Sequence, residues 1–171
     1  MNKEDYEALN KNIKPVDSTV EFEKIHDFLN YELRNIGKLS SSEILEFSIS
    51  SLAWLGDAIY EQYFRLKLFE EYSRSKNLSL HNAAKFYVSA KAQAEVYDTW
   101  LGLLEEKELD FFKRAKNFKS KSLAKNTDSK TYHMATAVEA LCAYLYLLGK
   151  NERLAELLAL ATKHLDKNFK K

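Results

Sequence analysis

Residues that interrupt helices are scarce in this chain of 171 residues. Proline occurs once, at Pro15, and glycine occurs four times, at Gly37, Gly56, Gly102 and Gly149. A domain of this size that is rich in β-strands spends far more glycine and proline on its turns. The length is sufficient for one domain with a hydrophobic core. We therefore predict an all-α fold, a single bundle of helices joined by short connections.

The spacing of the apolar residues predicts where the helices lie. We expect helices over about residues 20–36, 43–72, 80–98, 104–116, 130–148 and 151–166. Ser40 to Ser42 should cap the second helix, Asp128 or Ser129 the fifth, and Gly149 should end the fifth. Residues 116–130 have no apolar period and are predicted to form a loop.

Charge is distributed unevenly, although the formal net charge is only +1. Residues 1–46 hold ten acidic and six basic residues, whereas residues 113–130 hold seven basic residues and one acidic residue. Asparagine and serine side chains within the basic segment can also hydrogen-bond to phosphate and sugar oxygens. This segment indicates a contact with nucleic acid, and a solvated basic loop is the alternative.

Other features bear on where the protein acts. Cys142 is the single cysteine and lies in an apolar run, as is typical of a buried structural thiol. Residues 1–14 are polar and charged and do not resemble a signal peptide. The most apolar stretch, residues 134–149, contains Glu139 and is shorter than a membrane span. We therefore expect a cytoplasmic protein that does not contact the membrane.

Two acidic residues stand alone in apolar helical segments. Asp57 is the only charged residue in 47–60, and Glu139 is the only one in 131–149. A carboxylate in an interior helix must be neutralised, paired with a base or bound to a metal ion. Pairing with Lys or Arg, or projection from a solvent-facing stripe, would satisfy each separately, while one divalent ion would satisfy both. Beside a basic segment, a metal site fits hydrolysis of a phosphodiester.

Four blocks of sequence resemble Mini-ribonuclease III, the stand-alone catalytic-domain branch of the ribonuclease III family. They are LAWLGDAIYE (52–61), LHNAAKFYVSAKAQAE (80–95), RAKNFKS (114–120) and KNTDSKTYHMATAVEALCAYLYL (125–147). The resemblance implies the all-α ribonuclease III endonuclease fold, acting as a homodimer. It also implies Mg²⁺-dependent cleavage of double-stranded RNA and maturation of 23S ribosomal RNA precursors. Mn²⁺ is expected to substitute for Mg²⁺, and the products should carry 5′-phosphate and 3′-hydroxyl ends.

The resemblance also assigns site residues. The catalytic Asp of the family's Gly-Asp-Ala triplet is Asp57 here, and the metal-binding Glu before Ala-Leu is Glu139. We expect both residues to bind metal and to act in catalysis. Glu61 either orients water at the metal or only forms a salt bridge. RNA contacts are expected from Lys116, Asn117, Lys119, Lys121, Lys125 and Asn126.

Some positions depart from the family pattern. Full-length ribonuclease III has Glu where this chain has Ala53 and Asp where it has Thr136, which predicts a sparse metal shell completed by water and RNA phosphates. The subfamily's Arg-Gly-Arg-Asn is Arg-Ala-Lys-Asn here, and Ala115 is expected to stiffen the RNA-contacting loop. His133 replaces a basic residue. The VSAKAQAE stretch is expected to be structural or dimer-related.

We divide the chain into a partly helical acidic extension at residues 1–42 and a ribonuclease III-like catalytic domain at residues 43–171. This division leaves no room for a double-stranded-RNA-binding domain. The main alternative is a non-catalytic RNA-binding or ribosome-assembly factor on the same fold, and a helical scaffold for an acidic protein is another. The two lone carboxylates argue against the first alternative, and salt-sensitive binding to duplex RNA would separate it from the second.

Overall fold

The computed structural model describes residues 39–74, 79–118 and 128–169. These ranges contain helices and no strand, so the prediction of an all-α fold is confirmed. The predicted helix over 20–36 lies outside the described residues. The described helices are α1 (Ser41–Glu46), α2 (Ile49–Tyr72), α3 (Leu80–Val88), α4 (Ala90–Trp100), α5 (Glu106–Lys116), α6 (Ser129–Leu147) and α7 (Asn151–Leu165).

Two predictions of single helices are wrong, because each segment is divided by a serine. The segment 43–72 is interrupted at Phe47 and Ser48, whose backbones are extended, and the Ser48 hydroxyl accepts the backbone amide of Ser51 in the first turn of α2. The segment 80–98 is interrupted at Ser89, which caps α4 in the same way. A serine whose hydroxyl accepts a backbone amide three residues ahead starts a new helix. The spacing of the apolar residues does not change at that point, so it gives no sign of the break.

The other helix ends follow the sequence closely. Ser40 and Glu43 form a capping box at the start of α1, in which each side chain accepts the other's backbone amide. The Asp128 carboxylate accepts the amide of Thr131 at 2.9 Å and caps α6. Gly149 follows α6 with a φ of 72°, a conformation that strongly favours glycine.

Helix α6 lies at the centre of the bundle and packs against α2, α4, α5 and α7. Its residues from Met134 to Leu145 are all buried except Glu139, and Cys142 is fully buried as predicted. Helix α2 approaches α6 most closely at Gly56, where a β-carbon would overlap the carbonyl oxygen of Glu139. This backbone contact sets the distance between the two helices that carry the lone carboxylates. No helix in the described ranges is long and apolar enough to cross a membrane.

Candidate active site

Asp57 on α2 and Glu139 on α6 line the same pocket, which has a volume of about 230 Å³. The missing side chain of Gly56 allows the helices to approach closely enough for the two carboxylates to share it. Each helix contributes residues spaced three or four apart, which project from one face of a helix. The lining residues are Ser50, Ala53, Trp54, Asp57, Phe118, Tyr132, Thr136 and Glu139.

The carboxylates are less buried than their apolar neighbours suggested. Asp57 is exposed and Glu139 is half-buried, so neither is an interior residue. The expectation of an interior helix was wrong for α2, and Asp57 projects from a solvent-facing stripe, the alternative left open, because the side of this helix that faces solvent is itself partly apolar. Trp54, for example, is 79% exposed. The two acids therefore stand on the wall of a pocket that opens to solvent.

Electrostatics in the pocket disfavour two negative charges. Burial, followed by the charge of Asp57, raises the pKa of Glu139 to about 7. Burial, followed by the charge of Glu61, raises the pKa of Asp57 above its ordinary value. Within the described ranges, no basic side chain forms an ion pair with either carboxylate. The pocket therefore holds uncompensated negative charge at neutral pH.

This donor set fits a hard divalent cation. Mg²⁺ prefers carboxylate oxygens and water, and a bound cation would reverse the cost of placing the two charges together. In the described part of the chain no cluster of three or more His, Cys, Asp or Glu side chains could hold a metal. Ala53 and Thr136 line the pocket without supplying a carboxylate, and the Thr136 hydroxyl donates to the carbonyl of Tyr132 at 2.9 Å. Among the described residues, the pocket therefore offers two carboxylates, those of Asp57 and Glu139.

Glu61 forms the salt bridge that was one of its two expected roles. Its Oε1 accepts from Nε and Nη2 of Arg65, one turn further along α2, at 2.9 and 2.6 Å. Glu61 does not line the pocket, although its charge acts on Asp57.

The predicted RNA-binding residues are described only in part. Lys116 is half-buried, with its ammonium 5.3 Å from the centre of the Tyr97 ring, and Asn117 is exposed at the end of α5. Phe118 follows directly and lies on the pocket wall, so the basic segment begins beside the carboxylates. Lys119, Lys121, Lys125 and Asn126 lie outside the described residues.

Ala115 does not belong to a loop, which corrects its expected role. It is fully buried in the last turn of α5, so it packs in the core instead of stiffening the RNA-contacting segment. Alanine, which stands here in place of the subfamily's glycine, therefore favours the helical conformation.

Sequence reasoning missed three aromatic residues of the pocket: Trp54, Phe118 and Tyr132. The spacing alone contained a signal for two of them. Trp54 precedes Asp57 by three residues, and Tyr132 precedes Glu139 by seven, so each shares a helix face with a lone carboxylate. Phe118 follows α5 and had no such signal.

Comparison with known proteins agrees with this geometry. Residues 50–150 match the Ribonuclease III domain family. The chain is 52% identical over 106 residues to Mini-ribonuclease 3 of Brevibacillus brevis, covering 62% of this chain and 78% of the relative. It is 38% identical over 134 residues to Mini-ribonuclease 3 of a Thermoanaerobacter species, covering 78% and 94%.

A solved structure shares the fold. A crystal structure of a protein from Fusobacterium nucleatum superposes with a TM-score of 0.61 at 32% identity, covering 70% of this chain and 94% of that one. Residues 50–150, which match the Ribonuclease III domain family, include both carboxylates and the contact at Gly56. The chain therefore belongs to the ribonuclease III family, in its Mini-ribonuclease III branch.

Proposed function

We propose that this ribonuclease III family enzyme is a Mg²⁺-dependent endoribonuclease that cleaves double-stranded RNA and matures 23S ribosomal RNA precursors in the cytoplasm. The observation that carries the proposal is the pairing of Asp57 and Glu139 in one pocket without a basic partner among the described residues. A protein that only binds RNA gains nothing from two uncompensated carboxylates. Catalysis would reside in residues 43–171, with residues 1–42 as an acidic extension.

Asp57 and Glu139 would together hold the cation. When bound, Mg²⁺, or Mn²⁺ in its place, supplies an activated water and stabilises charge on the scissile phosphate. The carboxylates would hold the cation on the wall formed by α2 and α6, and Trp54, Phe118 and Tyr132, which line the same pocket, would limit its contact with bulk water. Hydrolysis would break the bond between phosphorus and O3′, leaving 5′-phosphate and 3′-hydroxyl ends.

RNA would be held by the end of α5 and the basic segment after it. Lys116, Lys119, Lys121 and Lys125 would neutralise backbone phosphates, while Asn117 and Asn126 would bond to phosphate or sugar oxygens. Because Phe118 lies on the pocket wall, a backbone held here runs past the two carboxylates. Recognition would rest on A-form shape and 2′-hydroxyl groups.

We also propose a homodimer formed through the exposed face of α2. Trp54, Leu66 and Phe69 are 79%, 60% and 63% exposed, and their spacing places them along one stripe of the helix with Ala58. Gln62 and the Glu61–Arg65 salt bridge lie on the same face, so this surface combines exposed apolar side chains with polar groups, as is typical of subunit contacts. A twofold contact here would lie next to Asp57 and give two symmetry-related pockets, one for each strand of a duplex.

A cleavage assay tests the activity. Labelled duplex RNA should be cut in Mg²⁺ and remain intact in EDTA, while duplex DNA and single-stranded RNA of the same sequence remain intact in both. The cut ends should be ligatable directly, as 5′-phosphate and 3′-hydroxyl groups require. Salt-sensitive binding of duplex RNA without cleavage in any divalent ion would favour the non-catalytic RNA-binding alternative. Equal binding of any polyanion would favour a scaffold.

A further inference from the structure

A buried amide next to the proposed active site has no conventional partner. Gln93 lies on α4 and is 2% exposed, which makes it one of the most deeply buried polar side chains in the described part of the chain. Within those residues, no acceptor lies in hydrogen-bonding geometry with its Nε2. A buried amide without a partner costs free energy, so its presence in a core requires an explanation.

The side chain of Gln93 faces Glu139 across the contact between α4 and α6. The amide favours the charged form of the carboxylate and lowers its pKa, against the larger effects of burial and Asp57. The contact between the Gln93 amide and Glu139 is weaker than an ordinary hydrogen bond, because Nε2 has no partner in hydrogen-bonding geometry. Nε2 is therefore a buried donor without a partner, and Glu139, on which the Gln93 side chain acts, is a half-buried acceptor without a basic partner among the described residues.

We propose that Gln93 is a positioning residue for Glu139. Its Nε2 would donate to one carboxylate oxygen and leave the other directed into the pocket that Asp57 shares. Groups that hold a metal-binding side chain from behind typically change metal affinity by about 10- to 100-fold when they are removed. This inference rests on the proposed function, because it assumes that Glu139 holds a cation.

A role for Gln93 in packing alone predicts that its replacement leaves cation binding unchanged. If the side chain only fills space, an apolar residue of equal length preserves that packing and removes an unsatisfied donor, and cation binding should not change. If it positions Glu139, the same change should weaken cation binding while the fold stays intact. Fold stability and cation affinity therefore separate the two roles.

The experiment compares Gln93→Met with Asn82→Met, which also replaces an amide by a thioether, at an exposed position of α3 outside both the pocket and the exposed face of α2. Mn²⁺ binding would be measured by calorimetry, and thermal unfolding would be followed in EDTA and in Mn²⁺. We expect Gln93→Met to unfold in EDTA within a few degrees of wild type and to bind Mn²⁺ about tenfold more weakly. Asn82→Met should match wild type in both measurements.

A second variant keeps the test informative if Gln93→Met fails to fold. Gln93→Asn retains the amide but withdraws it by one methylene, so it should also weaken Mn²⁺ binding. Wild-type Mn²⁺ affinity in either folded variant would overturn the inference.

The result for wild type distinguishes this inference from the proposed function. If wild type binds no Mn²⁺, the metal site itself is wrong and both fail. If wild type binds Mn²⁺ and Glu139→Gln abolishes the binding, but the Gln93 variants do not weaken it, only the role of Gln93 is refuted.

Discussion

Gly56 and Glu139 touch through their backbones: a β-carbon on residue 56 would overlap the carbonyl oxygen of Glu139 and crowd the amide nitrogen of Ala143. The overlap is with backbone atoms of α6, which cannot rotate away as a side chain can. Glycine at this position is therefore a condition for bringing Asp57, the next residue along α2, to the pocket that it shares with Glu139. The spacing of the two helices and the geometry of the proposed site depend on one missing methyl group.

We accordingly expect Gly56→Ala to force α2 and α6 apart. Overpacking of this kind costs about 1 to 3 kcal/mol of unfolding free energy, and a shift of the carboxylates should reduce cleavage by at least roughly tenfold. Urea denaturation and a duplex RNA cleavage assay would measure the two effects. Gly102→Ala is the matched control, because a β-carbon there meets nothing within 4 Å. Equal behaviour of the two variants would show that the contact is not limiting.

Asp57→Asn separates chemistry from folding. The substitution keeps the shape of the side chain but removes a charge that raises the pKa of Glu139, so the metal-free fold should be as stable as wild type or slightly more stable. Cleavage should fall by at least about 100-fold, since one of two cation ligands is weakened. Asp98→Asn, at an exposed position outside the pocket, should retain full activity. An active Asp57→Asn enzyme would refute the role assigned to Asp57.

The two lone acids in apolar segments could be predicted from the sequence, but their exposure could not. The count of charged residues around Asp57 singled out a carboxylate that lines the same pocket as Glu139. It could not distinguish a helix buried on all sides from one with an apolar face directed at solvent, because both have the same composition. Trp54 and Leu66 belong to that outward face, and their exposure follows from the positions of the other helices.

Ser89 and Gln93 show a different limit. An apolar period continues across a serine cap, so a single helix was predicted where Ser89 starts a new one. Gln93 carries no apolar signal, and nothing in the sequence distinguishes a buried amide from an exposed one on the same helix. Whether a serine starts a helix and whether an amide is buried depend on which backbone or side chain lies opposite. Only the packed structure supplies that information.

The pKa of Glu139 predicts how the stability of the metal-free protein depends on pH. Its value of about 7 in the folded state exceeds the ordinary 4.5, so the folded protein binds this proton more tightly than the unfolded chain does. The stabilisation is complete below about pH 4.5 and is lost as the pH rises through 7. In EDTA, the unfolding free energy of wild type relative to Glu139→Gln should fall by about 2 to 3 kcal/mol between pH 4.5 and pH 8.

Urea denaturation of both proteins at several pH values would measure this difference. Saturating Mg²⁺ should abolish the loss in wild type, because the cation replaces the proton as the counter-charge. Parallel pH curves for the two proteins in EDTA would mean that Glu139 is fully hydrated in the folded state.

The exposed stripe on α2 predicts the oligomeric state. Phe69→Glu places a charge at the C-terminal end of the exposed face of α2 that we assign to the dimer, without touching the core, since Phe69 is 63% exposed. Wild type should sediment as a dimer, and the variant should become a monomer at micromolar concentration while its helical circular dichroism is unchanged. Leu103→Glu is the control, because Leu103 is also exposed but lies outside α2, in the connection after α4. If Phe69→Glu remains dimeric, or if Leu103→Glu alone dissociates, the twofold contact lies on another surface.

If the monomer still nicks one strand of a duplex but no longer cuts both in one encounter, each pocket acts on one strand and the twofold axis provides the second cut.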